Sequence, residues 1–228
     1  MKTTIIENFL TEEELNEIER LFRSKDDLRI EKEKMGIKMS DTHLHPGVSD
    51  MRSIYWYPGK STLASIHDIV NKKIKASFGN DIQCNDWHIL NAYRPYDLHS
   101  DSLDDEQPGT SIPDNTEYAW TFLIPLNDYD TNTIVLNEES YDTKIFRKWI
   151  ERTNAPIKDA IDDETYEKYF SHQNREDVRY VSIDTIFPWK KGTLLAMNRH
   201  RLHCSDNFYK KGVFEKRALV SWSIKVPK

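Results

Sequence analysis

Apolar positions along the chain fall into two textures. Near the start they recur at helical spacing. Leu15, Ile18, Leu21 and Phe22 form one stripe. Thr11 and Glu14 precede it as a capping box, with Leu10 and Leu15 placed as a hydrophobic staple. Ile5–Phe9 predicts a short strand feeding this helix. A second helix is predicted from about Ser61 to Phe78, buried through Leu63, Ile66, Val70 and Ile74 and stopped at Gly79-Asn80. Between the helices lies a polar stretch, from Arg23 to about Ser49, that predicts a surface excursion. Ser53–Tyr57 then predicts a strand ending at Pro58-Gly59.

After about residue 80 the spacing shifts to short β-favouring runs: Trp87–Tyr93, Tyr118–Leu126, Thr133–Leu136, Thr193–Met197 and Ala218–Val226. Turn residues such as Pro95, Pro108-Gly109 and Lys191-Gly192 separate them. From about 140 to 180 the runs stop, and apolar residues (Ile145, Trp149, Ile150, Tyr166, Tyr169, Phe170) sit in charged surroundings. This predicts a helical or irregular insert. Two helices followed by many short strands give an α+β, mainly β class. The strands are expected in a sandwich or jelly-roll barrel with the helices packed outside. The expected organisation is one domain over 1–228: N-terminal helical support to about 80, then a barrel core to 228 interrupted by the insert.

Composition narrows the function classes. The chain has 228 residues, enough for a substantial core. Its formal charge of −6 disfavours a general nucleic-acid binder, which needs a basic face. No apolar run approaches the roughly 20 residues of a membrane helix, and the N-terminus shows no signal-peptide pattern. Cys84 and Cys204 match no zinc spacing and suggest no disulfide framework, so a cytoplasmic location is expected.

Candidate chemistry lies in two places. In Asn91-Ala92-Tyr93-Arg94-Pro95-Tyr96-Asp97-Leu98-His99-Ser100-Asp101, an extended backbone puts His99 and Asp101 on one face. An imidazole and a carboxylate side by side can fill two corners of a metal's coordination sphere. A second histidine would complete a 2-His-1-carboxylate triad with open positions. His203, after the apolar run that follows Gly192, supplies it; His200 competes for the role and lies farther from Arg217. Arg217 opens the last strand with the side chain best shaped to grip a carboxylate. Asp41-Thr42-His43-Leu44-His45 is a rival His cluster, read as a solvated loop without strand context.

The order His99-x-Asp101, His203, Arg217 resembles the H-x-D…H…R signature of Fe(II)/2-oxoglutarate-dependent dioxygenases. Ile6–Glu14 is similar to the opening of the prolyl-hydroxylase-like branch. Trp120–Asp128 is similar to the strand after the proximal ligands, and His203–Asn207 to the segment after the distal one. The resemblance spans most of the chain. It implies a double-stranded β-helix, the cupin-type jelly roll, with His99, Asp101 and His203 on iron. It implies Arg217 on the distal carboxylate of 2-oxoglutarate, with Tyr93 and Asn91 touching the cosubstrate. With O2 as oxidant, such an enzyme hydroxylates a C–H bond of a peptide or small molecule and releases succinate and CO2. The chain departs from the pattern where Tyr129-Asp130-Thr131-Asn132 replaces a glycine turn. The competing expectation is a cupin-like metal-binding or interaction protein without turnover.

Overall fold

The structure is a computed structural model that describes residues 2–20, 42–44, 53–56, 64–101, 117–140, 161–179 and 181–226. Strand β1 (Thr4–Ile6) leads into helix α1, described over 12–20. Strands β2 (Thr42–Leu44) and β3 (Ser53–Trp56) precede helix α2 (Ala64–Phe78). Seven more strands follow: β4 (Ile82–Ala92), β5 (Glu117–Pro125), β6 (Asn132–Glu139), β7 (Ile183–Pro188), β8 (Leu194–Asn198), β9 (Arg201–Ser205) and β10 (Lys216–Lys225).

The helix starts and stops follow the sequence. The Thr11 amide donates to Glu14 Oε2 at 2.8 Å, and the Glu14 amide donates to Thr11 Oγ1 at 3.2 Å, so the capping box is closed in both directions. Leu10 and Leu15 are both buried. Val70 and Ile74 form the buried side of α2; Leu21, Phe22, Leu63 and the Ile66 side chain lie outside the described residues. Gly79 ends α2 at φ +113°, and its amide returns to the Lys75 carbonyl. Gly192, at φ +74°, ties the staple to the barrel. Its carbonyl accepts the Leu10 amide, and a Cβ there would press Leu15 Cδ1 at 3.0 Å.

All strand pairs are antiparallel, in two sheets. One sheet has the order β1-β8-β5-β10-β4-β3-β2, and the other β7-β6-β9. A bridge from His99 to His203 adds a further rung to the smaller sheet beside β9. Leu90, Leu123, Leu195, Met197, Ala218 and Val220 of the large sheet meet Val135 and Phe187 of the small one. The other face of the large sheet, with Trp87, Phe122 and Leu219, packs on α1 and α2. This is the expected jelly roll with helices outside, and the N-terminal region also adds three strands to the large sheet.

Three strands run where none was predicted. β7 is half exposed and alternates, so its apolar run is too broken to stand out. β9 carries His203 and Ser205 among apolar residues, which hides it the same way. β2 corrects the loop reading of the rival His cluster: Thr42, His43 and Leu44 pair with Trp56, Tyr55 and Ile54. The open edge of β3 supplies unpaired main-chain groups that a polar segment can satisfy. The insert is helical where it is described, in short turns at Asp163–Thr165, Tyr166–Phe170 and Arg175–Val178. Phe170 and Val178 pack on Leu98, Leu136 and Leu202 outside the small sheet. Ile145, Trp149 and Ile150 lie outside the described residues.

Candidate metal centre

His99, Asp101 and His203 converge. Each offers one ligand atom, and the three atoms lie within 4.8 Å of one another. The backbone makes this meeting. The His99 amide donates to the His203 carbonyl at 3.0 Å, and the His203 amide returns to the His99 carbonyl at 2.8 Å. That exchange sets the two imidazoles on one side, with ring centres 4.2 Å apart. Asp101, two residues on from His99, shares its face, and its Oδ2 lies 3.5 Å from His203 Nε2.

The tautomers are fixed by main-chain carbonyls. His99 Nδ1 lies 2.7 Å from the Asp97 carbonyl, and His203 Nδ1 lies 3.0 Å from the Arg201 carbonyl. A carbonyl only accepts, so each Nδ1 carries the proton and each Nε2 is left with a lone pair. Metal-binding histidines are ordinarily oriented this way. Burial, reinforced by His203, pushes His99 down to about 4, so it is neutral at pH 7. Burial works to raise Asp101, but His203, His99, the Thr121 hydroxyl and Arg199 outweigh it and hold the carboxyl below its ordinary range. The Thr121 hydroxyl donates to Asp101 Oδ2 at 2.7 Å. Two imidazoles presenting Nε2 and one ionised carboxylate on a shared face are a donor set that fits Fe(II) or a similar divalent ion.

The other candidates fall elsewhere. His200 sits in the β8–β9 turn, its amide on Asn198 Oδ1 and its carbonyl on the Ser140 amide, outside the triad. Arg217 faces away from the barrel interior. Its Nε donates to Asn91 Oδ1 at 2.9 Å, Nη1 lies 3.2 Å from Glu19 Oε2 on α1, and Nη2 lies 2.9 Å from Glu215 Oε1. Asn91, opposite Arg217 in the β4–β10 register, shares that outer face. Tyr93 takes the Tyr209 hydroxyl on its carbonyl.

Successive strand side chains alternate in direction, so the neighbour of Arg217 points inward. Lys216 is 1% exposed, and its Nζ lies 3.8 Å from the centre of the Trp189 ring and 3.2 Å from the Asn132 carbonyl. Among the described residues no carboxylate stands within ion-pair distance of it. Burial drives Lys216 down to about 7, opposed chiefly by the more distant Asp206. Asp206 is itself fully buried and accepts from the Asn132 amide and from Lys211 Nζ. The sequence did not single out Lys216, Thr121 or Arg199. Strand parity was the available signal for Lys216, but β10 is buried on both faces, so its charged first residues do not mark which side is the barrel interior.

No family model matches the sequence, and no curated protein matches it. Solved structures do. HygX from Streptomyces hygroscopicus, crystallised with nickel and 2-oxoglutarate, aligns at a TM-score of 0.52 and 14% identity, over 98% of this chain and 82% of its own. SnoN, a non-haem α-ketoglutarate-dependent epimerase from nogalamycin biosynthesis, aligns at 0.54 and 12%, over 98% and 76%. SnoK, an α-ketoglutarate-dependent carbocyclase from the same biosynthesis, aligns at 0.51 and 13%, over 96% and 79%. The chain therefore shares the jelly-roll fold of these three proteins.

Proposed function

We propose that this chain is an Fe(II)- and 2-oxoglutarate-dependent oxygenase that hydroxylates a C–H bond of a small molecule or peptide. The observation that carries the reading is the convergence of His99, Asp101 and His203 on a jelly roll shared with HygX and SnoN. In this reading residues 1–228 act as one catalytic domain, since β1, β2 and β3 pair into the same sheet as the barrel strands.

His99 Nε2, His203 Nε2 and an Asp101 carboxylate oxygen would hold the iron. When bound, iron and 2-oxoglutarate together activate O2 and oxidise a C–H bond, with succinate and CO2 released. The protein supplies placement. The carbonyls of Asp97 and Arg201 hold the two ring N–H groups and keep both lone pairs aimed at one point. Thr121 holds the carboxylate. Lys216, inside the barrel, takes the role the sequence resemblance gave to Arg217 and would pair with the distal carboxylate of the cosubstrate. A buried ammonium with three donors and one carbonyl partner suits an entering anion. The Trp189 and Phe208 rings, centred 3.8 and 5.3 Å from the ammonium, limit water around it.

The test is an anaerobic titration of metal-free protein with Fe(II) and 2-oxoglutarate, read by the visible metal-to-ligand charge-transfer band. The band should form, vanish in His99→Ala, and require far more 2-oxoglutarate in Lys216→Ala than in Arg217→Ala. Well-folded protein that takes up Fe(II) and forms no band would instead be a metal-binding protein without this chemistry.

A further inference from the structure

Arg199 is the costliest side chain near the triad. It occupies the two-residue turn between β8 and β9, yet it is 1% exposed. A guanidinium stays charged in a protein, and burying a charge is expensive. Packing alone would be served better by Leu or Met. What the charge does there is specific. Nε and Nη2 donate together to the main-chain carbonyl of Asp101, at 3.1 and 2.8 Å. The main chains close the same contact: the Asp101 amide donates to the Arg199 carbonyl at 3.0 Å, and the Arg199 amide donates to the Ala119 carbonyl at 3.3 Å. The face of Trp222 lies 5.9 Å from the guanidinium carbon.

Asp101 is thus held at two points, its main chain by Arg199 and its carboxylate by Thr121. Four residues on from Arg199, His203 exchanges its own main-chain pair with His99. The early and late segments that carry the triad are therefore cross-braced twice, once between His99 and His203 and once between Asp101 and Arg199.

We propose that Arg199 is a positioning residue for the metal centre. Its two-pronged donation to the Asp101 carbonyl fixes the pose of that carboxylate between the two imidazoles. The inference rests on the metal reading above and concerns metal affinity and geometry, not turnover.

Co(II) serves as the probe, because its visible absorption reports both affinity and coordination geometry. Wild type, Arg199→Lys and Arg199→Met are titrated with Co(II), and near-UV circular dichroism checks that each is folded. Arg199→Met should weaken Co(II) binding about 10- to 100-fold and change the band shape, the usual cost of losing a group that orients a ligand. Arg199→Lys should fall between, because an ammonium is one point donor where the guanidinium supplies a fork. A folded variant with the wild-type Kd and spectrum overturns the proposal. Absence of Co(II) binding by wild type overturns the metal reading itself, which separates the two failures. One measurement needs no variant: the Arg199 Nε–H resonance of wild type should be protected from exchange and should move when Zn(II) is added. A resonance unmoved by saturating Zn(II) that does shift the His99 ring signals also overturns the proposal.

Discussion

The triad and the Lys216 pocket are both buried and polar, but they are held differently. At the triad every charged or ligating group has a partner: two carbonyls on the ring N–H groups, Thr121 on the carboxylate, Arg199 on the main chain. At Lys216 the ammonium has one carbonyl and two aromatic faces, with Asp206 beyond ion-pair reach. Geometry is locked at the first site, and charge is left undercompensated at the second. This is the division expected if one site must hold a resident ion in fixed geometry and the other must admit an anion that comes and goes.

The sharpest break of this contrast is at the triad. His99→Ala or Asp101→Ala should abolish Fe(II) uptake, measured as bound metal after gel filtration, while near-UV circular dichroism stays close to wild type. Next comes the pair of neighbours on β10. Lys216→Ala should raise the Kd for 2-oxoglutarate by about 30-fold or more, in line with ~2–5 kcal/mol for losing one partner of a buried charge pair. Arg217→Ala should change that Kd by less than about threefold. It should instead lower stability by about 1 kcal/mol, the upper end for a partly exposed ion pair, read from urea unfolding. If the two effects are reversed, the inward assignment of Lys216 fails.

A pH series sharpens the same point. Lys216 must be protonated to hold a carboxylate, and in the free protein it sits at about 7. Above that value binding must take up a proton, so the Kd for 2-oxoglutarate should rise up to about tenfold per pH unit. Stability moves the other way. The unfolded lysine, near 10.4, binds more protons than the folded one between about 7 and 10.4, so this group's contribution makes the free protein more stable as pH rises through that window. Lys216→Met should remove both dependences. Asp206, Lys211, Cys204 and His172 are the other titratable groups shown to act on or respond to it, and all remain in that variant. The smallest effect lies farthest from either site. Thr11→Ala opens the capping box and should cost about 1 kcal/mol of stability while leaving Fe(II) affinity unchanged.

The legible parts of the sequence were those with a local cause. Thr11 and Glu14 announce a helix start, Gly79 a helix stop, and the spacing of His99 and Asp101 a shared face. His203 could be named because an apolar run and a resemblance both led to it. What was hidden depends on partners far along the chain. The direction of Lys216 and Arg217 is set by the β4–β10 register and by what covers each side, and both sides of β10 are buried. Arg199 reads as an ordinary turn arginine until the 101 and 199 segments are brought together. Strand β2 is hidden because its pairing comes from the edge it meets, not from its own polar composition.

The first strand carries a consequence for handling the protein. Thr4–Ile6 is only three residues long, but it lies along the outside of Leu194-Leu195-Ala196-Met197-Asn198, whose five residues are all buried. Removing those few residues would turn a covered, apolar strand into a bare margin next to the Arg199 turn, a template for another copy of the chain to add to. Shortened versions, or fusions that pull the leading residues away, should therefore self-associate before they lose their helices. Size-exclusion chromatography coupled to light scattering would detect that directly.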